Sequence, residues 1–171
     1  MWGLPMADEL IARFRRWFDY EQDVHAKVLA SLDTIPADRR GGPEYRKAVG
    51  LFAHIVAARQ VWLGRFGVLP PAAGPLFPDN PDLAQVVDQW DTVRSAWTKY
   101  LAGLTDSDLV RVFEYQSLDA GRFRNRVEDI LAQLYGHSWY HRGQIAVLVR
   151  AAGGTPAITD FVYWCREPVA G

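Results

Sequence analysis

The chain has 171 residues, a length that fits one domain with a sizeable hydrophobic core. Its formal net charge is −1 with acidic and basic residues interspersed, which excludes the basic stripe of a nucleic-acid-binding surface and disfavours a membrane partner. No apolar stretch reaches the roughly 20 residues that span a bilayer, and the start MWGLPMADEL lacks the features of a signal peptide, so we expect a cytoplasmic protein. The one cysteine, Cys165, excludes an intramolecular disulfide.

Aromatic residues are abundant: the chain has seven Trp, seven Tyr and eight Phe. A bundle of this size buries only part of such a set internally, and the remainder favours an apolar surface patch. We therefore predict a homodimer.

The first predicted helix runs from Ala7 to about Leu32, where apolar residues recur at helical spacing between charged ones. His25 lies at the edge of this apolar stripe, and two interpretations are open. Either its ring points inward, or it is a half-exposed histidine beside charged neighbours. We favour the second, because nothing in the local sequence pairs with it.

Residues 36–43 hold two glycines and two prolines and separate the first helix from a second, predicted from about Glu44 to Phe66. His54 lies on the apolar face of the second helix, three residues after Leu51 and seven before Val61. We therefore predict that its ring faces the interior.

Five prolines between Gly67 and Pro81 predict a long, stiff connection, which either has a function or crosses from one end of a bundle to the other. Asn80, Pro81 and Asp82 are then typical of an N-cap, a proline at the first helical position and an acidic residue in the first turn. A third helix is predicted from there to about Gly103.

The periodicity changes between Leu109 and Arg126, where apolar and charged residues alternate around a turn at Asp119-Ala120-Gly121; this favours a short β-hairpin. On the second strand Arg122, Arg124 and Arg126 would lie on one side. They form either a solvated face or an anion-binding rim of a pocket, and in the second case they bind substrate.

The last long helix is predicted from Val127 to Ala152, before a glycine pair that favours a stop. It contains His137 and His141, which are four residues apart and so lie on one face of the helix, among its apolar positions. Arg142 would leave that inward face and form an ion pair.

Three inward-facing histidines on two helices, His54, His137 and His141, predict a divalent metal site, because three imidazoles with an open position form many catalytic zinc sites. The alternative is a set of core histidines satisfied by hydrogen bonds. We expect Arg142, Gly143 and Gln144 to support the site without binding the metal, with Gly143 allowing close approach of a neighbouring helix.

The segments LFAHIVAARQVWLGRF, YGHSWYHRGQIAVLVRAAGG and TPAITDFVYW resemble the DinB-like metalloprotein superfamily, a group of four-helix bundles. The resemblance covers most of the chain, and its HxxxHRGQI core is specific. It implies that His54, His137 and His141 bind a divalent metal. The family pattern often has an acidic residue where this chain has Arg59 and an asparagine where it has His25, which makes His25 a candidate for an extra ligand, a residue that supports a ligand or a proton carrier.

Some DinB-like proteins resemble thiol-dependent transferases or isomerases that act on small electrophiles, and many have no assigned activity. Our first hypothesis is therefore a metal-dependent thiol S-transferase that uses a low-molecular-weight thiol. One alternative is a non-catalytic, stress-responsive, metal-binding dimer, and another is a metal-dependent hydrolase with His25 or Tyr20 as proton carrier. Imidazole ligands suit several ions, and we expect zinc first and nickel next. Arg59, five residues after His54, would leave the core stripe and either clamp a substrate carboxylate or pair with a surface acid.

These elements predict an all-α fold, an up-down four-helix bundle with a short β-hairpin before the last long helix. The whole chain, residues 1–171, would form one such domain. Its expected substrate is a small molecule.

Overall fold

A computed structural model of the chain describes residues 9–119 and 121–169. In this part of the chain four long helices form a bundle; a 3₁₀ turn, a short helix and one hairpin lie in the connections between them, and another short helix follows the last of them. The elements are α1 (Glu9–Leu32), a 3₁₀ turn (Ala37–Arg39), α2 (Pro43–Arg65), α3 (Leu83–Gly103), α4 (Asp106–Leu109), β1 (Val112–Gln116), β2 (Arg122–Arg126), α5 (Val127–Ala151) and α6 (Phe161–Cys165).

The predicted fold class is confirmed: the chain is mostly helical, and a two-stranded antiparallel sheet precedes the last long helix. Val112 pairs with Arg126 at one end of that sheet and Gln116 with Arg122 at the other. The predicted helix start at Ala7 and the turn residue Ala120 lie outside the described residues.

The core forms where the apolar faces of the long helices meet. Both α2 and α1 pack against α3 and α5. Phe18, Phe52, Trp97 and Leu131 are large buried side chains that come from the four helices, one from each. Burial of apolar surface of this kind is the main force that holds such helices together.

The N-terminus of α3 differs from the prediction. Asp82, not Asn80, is the N-cap: its side chain accepts a hydrogen bond from the Gln85 backbone N–H at 3.0 Å. Asn80 instead has a left-handed backbone with φ 47°, which an asparagine tolerates better than most residues. Pro81 therefore precedes the helix rather than opening it.

The proline-rich segment between α2 and α3, residues 66–82, lies against the bundle. Its backbone passes so close to α2 that a Cβ on Gly64 would lie 3.1 Å from the Cα of Pro71. The absence of a side chain at Gly64 thus lets the segment return over α2 and bring residues 76 and 77 to His54.

The hairpin packs at the C-terminal end of α2 and the N-terminal end of α5. Phe113 contacts the ring of Phe66, and Tyr115 contacts the ring of Trp62. After α5 the chain folds back on α1, as Thr155 donates its backbone N–H to the Thr34 hydroxyl at 2.7 Å. None of the helices within residues 9–119 and 121–169 is both long and apolar enough to cross a membrane.

Candidate metal centre

Three histidines meet at the contact between α2 and α5. His54 lies near the middle of α2, and His137 and His141 lie one turn apart on α5. His54 and His141 are buried, and His137 is half-buried. One ring nitrogen from each residue falls within a group whose atoms all lie within 4.8 Å of one another. The periodicity of the two helices thus brings the three imidazoles to one point.

The converging atoms are the three Nε2 nitrogens. The Nε2 of His137 lies 2.9 Å from that of His54 and 3.0 Å from that of His141. A neutral imidazole has one nitrogen that donates and one that accepts, so the partners of the opposite nitrogens decide what each Nε2 offers.

Two of the rings have their Nδ1 atoms engaged. The Nδ1 of His54 lies 2.8 Å from the carbonyl oxygen of Leu76, which can only accept, so this Nδ1 carries the proton. The Nδ1 of His141 lies 2.7 Å from Oε1 of Gln144 and carries its proton in the same way. Both residues therefore present an Nε2 lone pair to the centre, as metal-binding histidines do.

His137 can satisfy only one of these two lone pairs, because its Nε2 holds at most one proton. The group therefore has more acceptors than donors, and a shared cation would satisfy all three nitrogens. This donor set fits a divalent transition metal.

The rings of His137 and His54 are neutral at physiological pH. Burial is the main cause that lowers the pKa of His137, with added repulsion from His141 and His54, and the pKa falls to about 4. Burial likewise lowers the pKa of His54. Neutral imidazoles have the protonation state that metal coordination requires.

Two aromatic side chains border the histidines. The ring of Phe77 stacks on His54 with centroids 3.8 Å apart and planes 9° apart, and Tyr140 packs edge-on against His141 at 5.0 Å. Phe77 and Tyr140 are both 64% exposed, so the centre lies close to the surface. In the described part of the chain no carboxylate or thiol joins the three histidines.

A second buried polar cluster, which we call the arginine–glutamate network, involves α1 as well as α2 and α5. Arg59 of α2 and Glu21 of α1 form a bidentate ion pair, with Arg59 Nε donating to Glu21 Oε1 at 2.8 Å. Ser138, next to His137, donates its hydroxyl to the same Oε1 at 2.9 Å. The guanidinium also lies against the rings of Phe18, Trp97 and Tyr135.

Arg142 extends the network towards the C-terminal segment. Its Nη2 donates to the hydroxyl of Tyr20 at 3.1 Å, and that hydroxyl donates to the carbonyl oxygen of Thr159. Our expectation that Arg142 leaves the inward face is wrong, because the residue is only 3% exposed.

His25 belongs to this network and not to the three-histidine group. It is fully buried, with its Nε2 3.6 Å from Glu21 Oε1, so the half-exposed interpretation is wrong. Its ring packs against Phe52 and Trp90. Burial, followed by repulsion from Arg142 and Arg59, holds the pKa of His25 well below its usual value, so the ring is neutral.

The candidate substrate arginines lie elsewhere. Arg59 does not leave the core stripe as expected; it is 1% exposed and paired with Glu21. Arg122, Arg124 and Arg126 lie on the exposed strand β2, and Arg126 is 11 residues before His137, roughly 16 Å along the chain axis at helical rise. The structure does not bring these side chains to the histidines.

The surroundings of Gly143 also differ from our expectation of a closely packed neighbouring helix. The residue is exposed, and a Cβ built on it meets no atom within 4 Å, so the described chain has no helix packed closely against it. The supporting contact comes from Gln144 instead.

Sequence reasoning missed Leu76, Phe77, Ser138 and Glu21. The burial of Glu21 could have been predicted from the helical spacing of α1, because Glu21 occupies an inward position between Phe18 and His25. A backbone carbonyl such as that of Leu76 leaves no mark in sequence.

A family model described as the DinB superfamily matches residues 28–145 of the chain. The matched region includes all three histidines and most of the bundle. No curated protein and no solved structure matches the chain significantly.

Proposed function

This chain belongs to the DinB superfamily, and we propose on that premise that His54, His137 and His141 hold one divalent metal ion in a thiol S-transferase. The transferase would join a low-molecular-weight thiol to a small electrophile. The observation that carries the proposal is the convergence of three Nε2 atoms, two of which have their Nδ1 protons engaged elsewhere.

Each ligand is oriented by a partner outside the group. The Leu76 carbonyl and the Gln144 side chain hold two rings in the tautomer that leaves Nε2 free. When bound, a divalent ion supplies a Lewis acid that lowers the pKa of a thiol or polarises a carbonyl. Zinc is the first candidate and nickel the second, because imidazole suits both.

The surroundings favour a thiol over water as nucleophile. Hydrolysis by activated water commonly uses a protein base, and within the described residues no carboxylate joins the histidine group. The two proton carriers considered for a hydrolase are engaged away from it: Tyr20 donates to Thr159, and His25 packs between Phe52 and Trp90. A thiol needs no such base once its pKa is lowered.

The exposed aromatic residues beside the site favour a catalytic metal ion over a purely structural one. Structural metal sites are closed, whereas catalytic ones keep an open position. His137 is half-buried, and the exposed rings of Phe77 and Tyr140 border the site, so a small molecule has a short path to it.

The test combines metal analysis with an activity assay. We expect about one equivalent of zinc or nickel per chain in the parent and little metal in His137→Asn. His25→Asn is the matched control, because it makes the same change at the histidine outside the group, and it should keep the metal. Full metal content in His137→Asn would contradict the site.

The activity assay separates the three functional classes. With a thiol and a chlorodinitrobenzene electrophile, the metal-loaded parent should accelerate conjugation, and the metal-free protein should not. Ester hydrolysis without thiol would favour the hydrolase instead. Full metal content with neither activity across a panel of thiols and electrophiles would favour the non-catalytic alternative.

A further inference from the structure

We propose that a cleft beside the histidines binds the anionic end of an elongated substrate whose other end reaches the metal. This basic cleft is lined by Arg46, Lys47, Gly50 and Leu51 of α2 and by residues 77–81 of the proline-rich segment. The inference rests on the proposed function for the reacting end of the substrate. The anion site itself does not depend on a metal.

The basic cleft runs along the face of α2 that carries His54. Arg46, Gly50 and His54 are spaced four residues apart, so they lie in one row on the helix surface. Phe77 joins the two places directly, because its ring stacks on His54 and also lines the cleft. The cleft volume is about 610 Å³, within the range that holds a small-molecule ligand.

The charges in the cleft favour an anion. Arg46 and Lys47 are exposed, and within the described residues neither is part of an ion pair. Asp79 is the one acidic residue among those that line the cleft, so two cations face one carboxylate. A carboxylate or phosphate would supply the missing negative charge.

Gly50 keeps the floor of the cleft open. Glycine is unfavourable inside a helix relative to alanine, and here no neighbouring backbone requires it. A Cβ built at Gly50 meets no atom within 4 Å. The position is half-buried and lies between the two cations and His54, so a side chain there would fill the path between them.

The distances set the shape of the substrate. Lys47 and Arg46 precede His54 by seven and eight residues, which is roughly 10–12 Å at the rise of an α-helix. The proposed substrate class is therefore a chain-like molecule with its reacting group at one end and an anionic group about 10 Å away.

The experiment uses two probes, mercaptooctanoate and mercaptooctanol, which differ only in the charge at one end. Each is titrated into the protein at low salt, and binding is followed by NMR. With the metal-free parent, we expect the carboxylate probe to bind about fivefold more tightly than the alcohol. The double variant Arg46→Gln/Lys47→Gln should lose that preference. Arg122→Gln/Arg124→Gln, which removes two exposed cations from β2, should keep it.

A second variant tests the path without a change in charge. Gly50→Leu should weaken the binding of both probes and leave the fold intact, since the added Cβ has open space. Gly103→Leu, at the exposed end of α3, makes the same change away from the cleft and should bind as the parent does.

The outcomes separate this inference from the proposed function. Equal binding of the two probes by the parent overturns the anion site, as does a preference that survives Arg46→Gln/Lys47→Gln. Zinc loading should then increase the affinity for mercaptooctanoate. The affinity for octanoate, which lacks the thiol, should not change. If the parent takes up no zinc, the proposed function fails, while the metal-free titration still decides the anion site. If zinc binds but does not increase the affinity for mercaptooctanoate, the inference that one substrate spans the cleft and the metal is wrong.

Discussion

The three-histidine group and the arginine–glutamate network are two polar clusters that share α2 and α5, and they differ in how their polar atoms are satisfied. In the network a protein carboxylate, Glu21, neutralises the buried guanidinium of Arg59. In the histidine group the facing atoms are all ring nitrogens, and no acidic residue joins them in the described chain. Polar groups that lack protein partners and lie close to the surface are candidates for binding an external ligand.

Helix α5 contributes to both clusters through neighbouring residues. His137 and His141 face the candidate metal centre, whereas Ser138 and Arg142, each one position later, face the network. Successive residues on a helix point about 100° apart, so a single rotation of α5 sets both sites. We infer that the network holds α5 in its orientation and that this orientation points His137 and His141 at His54.

The largest effect should come from a break in the network. We predict that Glu21→Gln lowers the free energy of unfolding by about 3–5 kcal/mol, because it leaves the buried Arg59 without its counterion. Urea denaturation of the parent and the variant measures the change. Glu114→Gln, which alters an exposed pair with Arg122, should cost about 1 kcal/mol at most. Equal effects of the two variants would show that the network does not stabilise the fold.

Metal removal should have the next largest effect. Ligands that bind only the folded state stabilise it, so zinc at 100 times its dissociation constant should add about 2.7 kcal/mol to the free energy of unfolding. Thermal melts with zinc and with a chelator should therefore differ for the parent. His137→Asn should melt at one temperature under both conditions. A zinc-dependent shift that persists in this variant would place the ion elsewhere.

A smaller effect should follow from the loss of an orienting partner. We predict that Gln144→Leu weakens zinc affinity by about 10–100-fold, because His141 loses the acceptor for its Nδ1 proton. A competitive titration with a coloured chelator measures the affinity. Gln133→Leu makes the same substitution at an exposed position on α5 and should leave the affinity unchanged. If both variants bind zinc as the parent does, Gln144 does not orient the ligand.

The smallest effect on stability concerns self-association. The homodimer predicted from aromatic content remains a prediction, and the exposed side of α5 offers a surface for it, with Tyr140 64% and Val147 63% exposed. We predict a dimer mass in light scattering at micromolar concentration and a monomer mass for Val147→Glu, with little change in the melting temperature. Val112→Glu, at an exposed valine on β1, is the control. A monomer mass for the parent would remove the prediction.

Sequence reasoning worked best where a repeat alone decides orientation. The positions of His54, His137 and His141 follow from helical spacing, because a residue three or four positions from buried neighbours shares their face. The same spacing identified the four long helices, and the switch to alternation identified the hairpin.

The spacing argument failed for residues at the edges of those faces. Arg59, His25 and Arg142 were expected at least partly outside the core, and all three are buried. A charged or polar residue can be buried only if another segment supplies its partner, and the partner of Arg59 is 38 residues away in sequence. The pattern around one residue holds no information on that partner.

The sequence by itself determined the helical bundle, the hairpin and the inward direction of the three histidines, because local periodicity and turn chemistry carry that information. Only the tertiary structure decided which nitrogen each ring offers, since the Leu76 carbonyl reaches His54 from a segment that first passes over Gly64. It also decided that Arg46 and Lys47, rather than the arginines of β2, line a cleft together with Phe77, whose ring stacks on His54. Hydrogen-bond partners and clefts arise between segments distant in sequence, and their formation depends on how the whole chain packs.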